Sequence, residues 1–148
     1  MIITNAKLGY SIPDESWGDK NIISPELVSK VDAYCRFLGT KIFVTKNGGT
    51  QGFHKADWHW KGMAVDFIPE ILIQKRMTLF DCYIAAMRFK LGGVGVYAHW
   101  KYNGEITGGL HFDVRPEAHT ATWFGVLING KQEYIAANLE NFRKYGIA

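Results

Sequence analysis

The stretch Asp57-Trp58-His59-Trp60-Lys61-Gly62-Met63-Ala64-Val65-Asp66-Phe67 carries the reading from which the fold follows. Its second half alternates as a strand over residues 63–68, so Met63, Val65 and Phe67 form a core face and leave Ala64 and Asp66 on the other. Gly62 permits a tight turn, which lets His59 fold back over the start of the strand and approach Asp66. Ala64 is small and leaves room for an ion. Leu110-His111-Phe112-Asp113-Val114-Arg115 alternates in the same way over a strand at 110–115. Leu110, Phe112 and Val114 face the core, while His111, Asp113 and Arg115 set an imidazole, a carboxylate and a guanidinium in a row. A histidine and an aspartate joined by a glycine turn, plus a histidine on a separate strand, make an N, O, N donor set. Such a set with a fourth position left to water is what a catalytic zinc needs. The plainer alternative is a His–Asp pair that only braces a turn, beside an ordinary solvated strand face.

Outward from these two strands, Ser24-Pro25-Glu26 is a helix start: a hydroxyl cap, proline at the first helical position, and an acid near the positive dipole end. Leu27, Val28, Val31, Tyr34, Cys35 and Leu38 recur at helical spacing, and Gly39 can end the helix. Residues 41–45 read as a strand, broken by Asn47-Gly48-Gly49. Thr78 with Asp81 resembles a capping box opening a helix through about Lys90, with Leu79, Cys82, Tyr83, Ala86 and Met87 inward. Gly92-Gly93 stops it, and residues 94–97 form a short apolar strand. In the tail, Tyr134, Ile135, Asn138, Leu139 and Phe142 predict an amphipathic helix over about 131–145, with a hairpin turn at Asn129-Gly130 as the alternative. Residues 1–23 read as an irregular lead-in. The expected class is α+β: one small domain over 1–148, with a central, mainly antiparallel sheet and flanking helices.

A chain of 148 residues, 47% hydrophobic and 21% charged, can bury a core without disulfides or a partner chain. Seventeen basic against fourteen acidic side chains leave a net charge of +3. That is short of the dense basic stripe of a dedicated nucleic-acid binder, and suits loose attraction to an anionic polymer. Cys35 and Cys82 lie in apolar helical stretches without a CxxC, which predicts buried free thiols. The first ten residues lack a signal-peptide pattern and no stretch reaches a membrane span's length. The expectation is synthesis in the cytoplasm, no integral membrane association, no nucleic-acid partner and a monomer.

His59-Trp60-Lys61-Gly62-Met63-Ala64-Val65-Asp66 matches the pattern His-x-x-Gly-x-Ala-x-Asp, and His111-Phe112-Asp113-Val114-Arg115 matches a later His-x-Asp-x-Arg. Together they resemble the zinc D-Ala-D-Ala carboxypeptidase-like peptidases, a superfamily of murein endopeptidases and phage endolysins whose fold also appears in the hedgehog signalling domain. The lead Gly92-Gly93-Val94-Gly95-Val96-Tyr97 and the helix–strand opening over 25–45 look similar too, so the resemblance spans about residues 20–125. It implies a hedgehog/D,D-peptidase-like fold, Zn2+ held by His59, Asp66 and His111, and hydrolysis of peptidoglycan stem or cross-link peptides. With no signal-peptide pattern, two expectations fit equally: a phage or prophage lysin that reaches the cell wall after phage-type lysis, or a cytoplasmic peptidase.

Asp113 would orient His111 or itself enter the metal shell. Many relatives carry a proton-taking carboxylate three positions before the third ligand, where this chain has Gly108; Glu105 is the first substitute and Asp113 the next. Their substrate-holding arginine falls in a segment that reads Thr45-Lys46-Asn47-Gly48-Gly49 here, so Lys46 or Arg115 would replace it. The relatives' serine two positions before the first ligand is Asp57, and His54 lies close enough in sequence to the first motif to orient a ligand or to bind substrate in the transition state. Trp58, Trp60, Tyr97, Trp100, Tyr102 and Trp123 would pack the rim or line a groove. The other class of function compatible with these departures is a weak or inactive zinc-binding module of the same fold.

Overall fold

In a computed structural model of the chain, the described residues are 4–5, 10–11, 17–18, 22–46, 48–50 and 58–148. Two short strands, β1 (Thr4–Asn5) and β2 (Tyr10–Ser11), pair antiparallel near the start. Helix α1 (Pro25–Leu38) is capped by the Ser24 side chain, which accepts from the amide of Leu27, and it ends at Gly39 in the left-handed region with φ 65°. It leads to β3 (Ile42–Val44) and then β4 (Ala64–Pro69). A single turn, α2 (Glu70–Ile73), follows, and α3 (Leu79–Ala86) opens on the Thr78/Asp81 capping box with both reciprocal bonds formed. Next come β5 (Gly93–Tyr97), the small hairpin β6 (Lys101–Tyr102) and β7 (Glu105–Ile106), and β8 (Gly109–Asp113). The chain continues through β9 (Ala121–Ile128), β10 (Lys131–Ile135) and α4 (Leu139–Lys144).

Six strands form one sheet in the order β10-β9-β5-β8-β4-β3. All neighbours run antiparallel except β5 and β9, so the expected α+β class with a mainly antiparallel sheet holds. One face carries Val65 and Phe67 from β4, Val94 and Val96 from β5, Leu110 and Phe112 from β8, and Phe124 and Val126 from β9, all buried. Tyr34 of α1 packs edge-on against both Phe67 and Phe112, with ring centroids 6.0 and 4.8 Å away. Phe142 of α4 meets Phe124 at 5.0 Å, so the last helix closes the same core. Trp17 is also buried there, so the lead-in contributes to the core.

The tail departs from the expected helix over 131–145. Residues 131–135 form a strand, and the helix is confined to α4. Asn129 and Gly130, at φ 51° and 76°, make the tight turn of the β9–β10 hairpin, because a two-residue turn matching strand twist needs positive φ at both positions. The helix before β5 also ends early: α3 passes into a 3-10 turn at Met87–Phe89, and Lys90 adopts φ 49° before Gly92 is reached. Among the described residues, no helix is long and apolar enough to cross a membrane.

Cys35 and Cys82 are buried free thiols, as expected. Burial raises both to about 12; Asp32 adds to the rise at Cys35, and a Tyr34 hydrogen bond opposes it at Cys82. At pH 8 such a thiol is thiolate in only about one molecule in 10⁴, and the thiolate is the nucleophile. A disulfide reagent added to the native protein at pH 8 is expected to titrate neither cysteine. Both should react after denaturation, and rapid native reaction of either one would contradict the packing.

Candidate metal centre

The polar face of the sheet is built by register. Strands β4 and β8 pair with Asp66 opposite His111 and Ala64 opposite Asp113, so those side chains rise as neighbours on one face. His59 reaches them from the turn at residues 58–62, where the amides of Gly62 and Met63 donate to the carbonyls of His59 and Trp58 at 2.9 Å. Gly62 is required there twice over. Its φ is +68°, and a Cβ would sit 1.9 Å from the carbonyl oxygen of Ile22. The amide of Ser24 donates to the Gly62 carbonyl at 2.8 Å, so the turn is docked against the entry to α1.

Three donor atoms, one each from His59, Asp66 and His111, lie within 4.8 Å of one another and can hold a metal ion. His59 Nδ1 stands 3.0 Å from the carbonyl oxygen of Gly49. A carbonyl only accepts, so that nitrogen carries the proton and Nε2 is left toward Asp66 Oδ2, 3.4 Å away. His111 Nδ1 faces Asp66 Oδ1 at 2.7 Å, and its Nε2 faces Asp113 Oδ2 at 2.8 Å. Each imidazole therefore has one ring nitrogen held on an oxygen and the other turned to Asp66, the arrangement that orients metal-binding histidines.

The charges are coupled. Burial opposes charge on His111, but hydrogen bonds to Asp113 and Asp66 overcome it and raise the imidazole to about 9. Burial alone would raise Asp66; hydrogen bonds from His111 and His59 reverse this and lower it to about 2. Asp113 goes the same way, to about 2, where His111 and Arg115 outweigh its burial. Asp113 is fully buried, and both of its oxygens are engaged: Oδ2 by His111 and Arg115 Nη2, Oδ1 by the Arg115 backbone amide and Nε at 3.1 and 2.8 Å.

Aromatic rings wall the cluster. The Trp123 ring lies 5.0 Å from that of His111, and its Nε1–H donates to the Tyr97 hydroxyl at 2.9 Å. Gly95 stands between His111 and Trp123 in the ladder, and a Cβ there would come within 2.4 Å of the indole nitrogen. Neither Tyr97 nor Trp123 stood out in the sequence from the other aromatics. The signal that singles out Trp123 is the glycine at the facing position of β5, legible only once the strands are paired.

The other expected site residues fall differently. Arg115 is engaged by Asp113. Lys46 is exposed beyond β3. Glu105 sits exposed on β7 and lines a cleft with Leu72, Lys75, Arg76 and Thr78 that includes none of the three donors. His54 and Asp57 lie outside the described residues. Comparison with family models, curated proteins and solved structures finds no match to this chain.

Proposed function

We propose that this chain is a zinc metallopeptidase that hydrolyses peptide bonds in peptidoglycan stem or cross-link peptides. The observation that carries the reading is the convergence of His59, Asp66 and His111 within 4.8 Å, with both histidines oriented by second hydrogen bonds. The donor set suits zinc: two imidazole nitrogens, with His111 Nδ1 giving up its proton as the ion binds, and one carboxylate, too few protein ligands to close a tetrahedron. When bound, zinc supplies Lewis acidity at neutral pH, polarising a carbonyl and acidifying water. His59, Asp66 and His111 would hold it. The two motifs' resemblance to the D,D-peptidase superfamily supports the substrate class.

The remaining roles belong to the chain's own groups. Asp113 keeps the Nε2 proton of His111 and so presents Nδ1 as the ligand atom. Its oxygens are occupied and it is shut off from solvent, so it is not the acceptor of a proton from water. Glu105 opens onto another cleft and takes no proton either. A general base is worth about 10²–10⁴-fold, so the Glu105→Gln variant separates these assignments. It is expected to retain wild-type turnover of purified peptidoglycan peptides within about twofold, whereas a loss of about 10²-fold or more would restore Glu105 as the base.

One observation favours the second reading, a zinc-holding binding module. Gly108 has φ +75°, a backbone conformation that L side chains rarely adopt, so a carboxylate at the position where relatives carry theirs would be strained. Metal-loaded wild-type protein that binds peptidoglycan fragments without cleaving them would establish the module; release of new amine termini, abolished by a chelator and restored by zinc, would establish the peptidase.

A further inference from the structure

Arg115 is the charged group beside the metal cluster for which the reaction supplies no task. Its planar head is spent in two ways. Nε and Nη2 form a fork on the Asp113 carboxylate, and the backbone amide of Arg115 adds a third bond to the same group. The guanidinium carbon also lies 5.6 Å from the Trp58 ring and 5.2 Å from the Trp123 ring, within cation–π range of both. Those two indoles belong to different ligand carriers. Trp58 sits in the turn that bears His59, its carbonyl accepting from Met63, while Trp123 packs against His111.

The neighbouring backbone is shaped to admit this arrangement. A Cβ on Gly92 would stand 2.2 Å from the Arg115 carbonyl oxygen and 2.8 Å from its Cγ. A Cβ on Gly93 would stand 2.4 Å from Asp113 Oδ2. Neither glycine adopts a positive φ, so what they provide is space for the Asp113–Arg115 pair. We infer that Arg115 is a positioning residue, tying the His59 turn to the His111 strand through Trp58, Asp113 and Trp123, and not a group that grips substrate. Its effect on metal affinity rests on the proposed metal centre; its effect on the turn does not.

Arg115→Lys keeps the charge but loses the planar fork and most of the stacking. In the metal-free protein, hydrogen exchange at the amides of Gly62 and Met63 is expected to accelerate by about tenfold, the scale of losing one or two cation–π contacts. The β5 amides of Val94 and Val96 should be unaffected. Zinc affinity should fall by about 10–100-fold, as when an outer hydrogen-bond partner of a ligand is lost, with KM of the zinc-saturated enzyme unchanged. Trp58→Leu leaves the fork on Asp113 intact, and it should loosen the same two amides if Arg115→Lys proves too unstable to study. Unchanged exchange at the turn in both variants would overturn the inference, as would a raised KM with zinc affinity intact. Acceleration spread evenly over β5 would mean a merely general stabilising role, and would overturn it too. A wild type that takes up no zinc would sink the proposed function, while exchange at the turn would still decide the role of Arg115.

Discussion

Purified Asp66→Asn protein is expected to fold as the wild type does and to retain no divalent metal. Asp66 supplies the oxygen that both imidazoles face, at 2.7 Å from His111 Nδ1 and 3.4 Å from His59 Nε2. An amide oxygen at this position carries no charge, while its NH2 donates no electron pair to a cation. Loss of the outer partner of a metal-bound histidine costs about 10–100-fold in affinity, so loss of a ligand that carries the site's charge should cost more than about 100-fold. The backbone of Asp66 keeps the fold independently of its carboxylate: its amide donates to Gly48, its carbonyl accepts from Thr45, and it pairs with His111 in the ladder. Elemental analysis of the variant beside wild type, with circular dichroism on both, checks the expectation. Wild-type metal content in Asp66→Asn would contradict it.

The second large effect is on stability. Phe112 is fully buried on the opposite face of β8 from His111 and Asp113, with Tyr34 and Phe67 edge-on at 4.8 Å each. Phe112→Ala leaves a cavity under the strand that carries the site and removes two aromatic contacts. Such truncations cost about 3–5 kcal/mol, a large part of the ~5–15 kcal/mol that holds a domain folded. Urea denaturation should show the midpoint lowered in proportion. A loss below about 1 kcal/mol would mean that Phe112 does not pack against Tyr34 and Phe67 in the core.

The parts of this fold that could be read from the chain are those where one local rule acts alone. Alternation around Val65, Phe67, Leu110 and Phe112 sorted core from site correctly, because a strand's period of two leaves no other choice once one face is apolar. The caps at Ser24 and Thr78 were legible for the same reason, since both satisfy amides within three residues. The tail was misread because Tyr134, Ile135 and Phe142 fit a helical spacing by coincidence. What decides it is pairing of 131–135 with β9, prompted by the Asn129–Gly130 turn. Strand β9 itself escaped notice: its register is set by parallel pairing with β5, a contact distant in sequence.

In the site, the donors were legible because the glycine turn and the strand alternation place them. The partners that orient them were only partly so. That Asp113 and Arg115 share a face with His111 follows from the His-x-Asp-x-Arg spacing, but the fork between them needs the space left by Gly92 and Gly93. Gly92-Gly93 looked like a helix stop, yet the helix ends before it, and the glycines serve the site instead. The carbonyl of Gly49 that holds His59 belongs to the loop after β3, and no local pattern pairs the two.

Zinc binding decides whether His59, Asp66 and His111 form a metal centre. Apo protein, purified without a histidine tag and stripped with a chelator, should bind one zinc ion per chain in a calorimetric titration, and His59→Ala should abolish that binding without unfolding the protein. Wild-type protein that takes up no zinc, with His59→Ala folding unchanged, would show that His59, Asp66 and His111 only brace a turn against a strand.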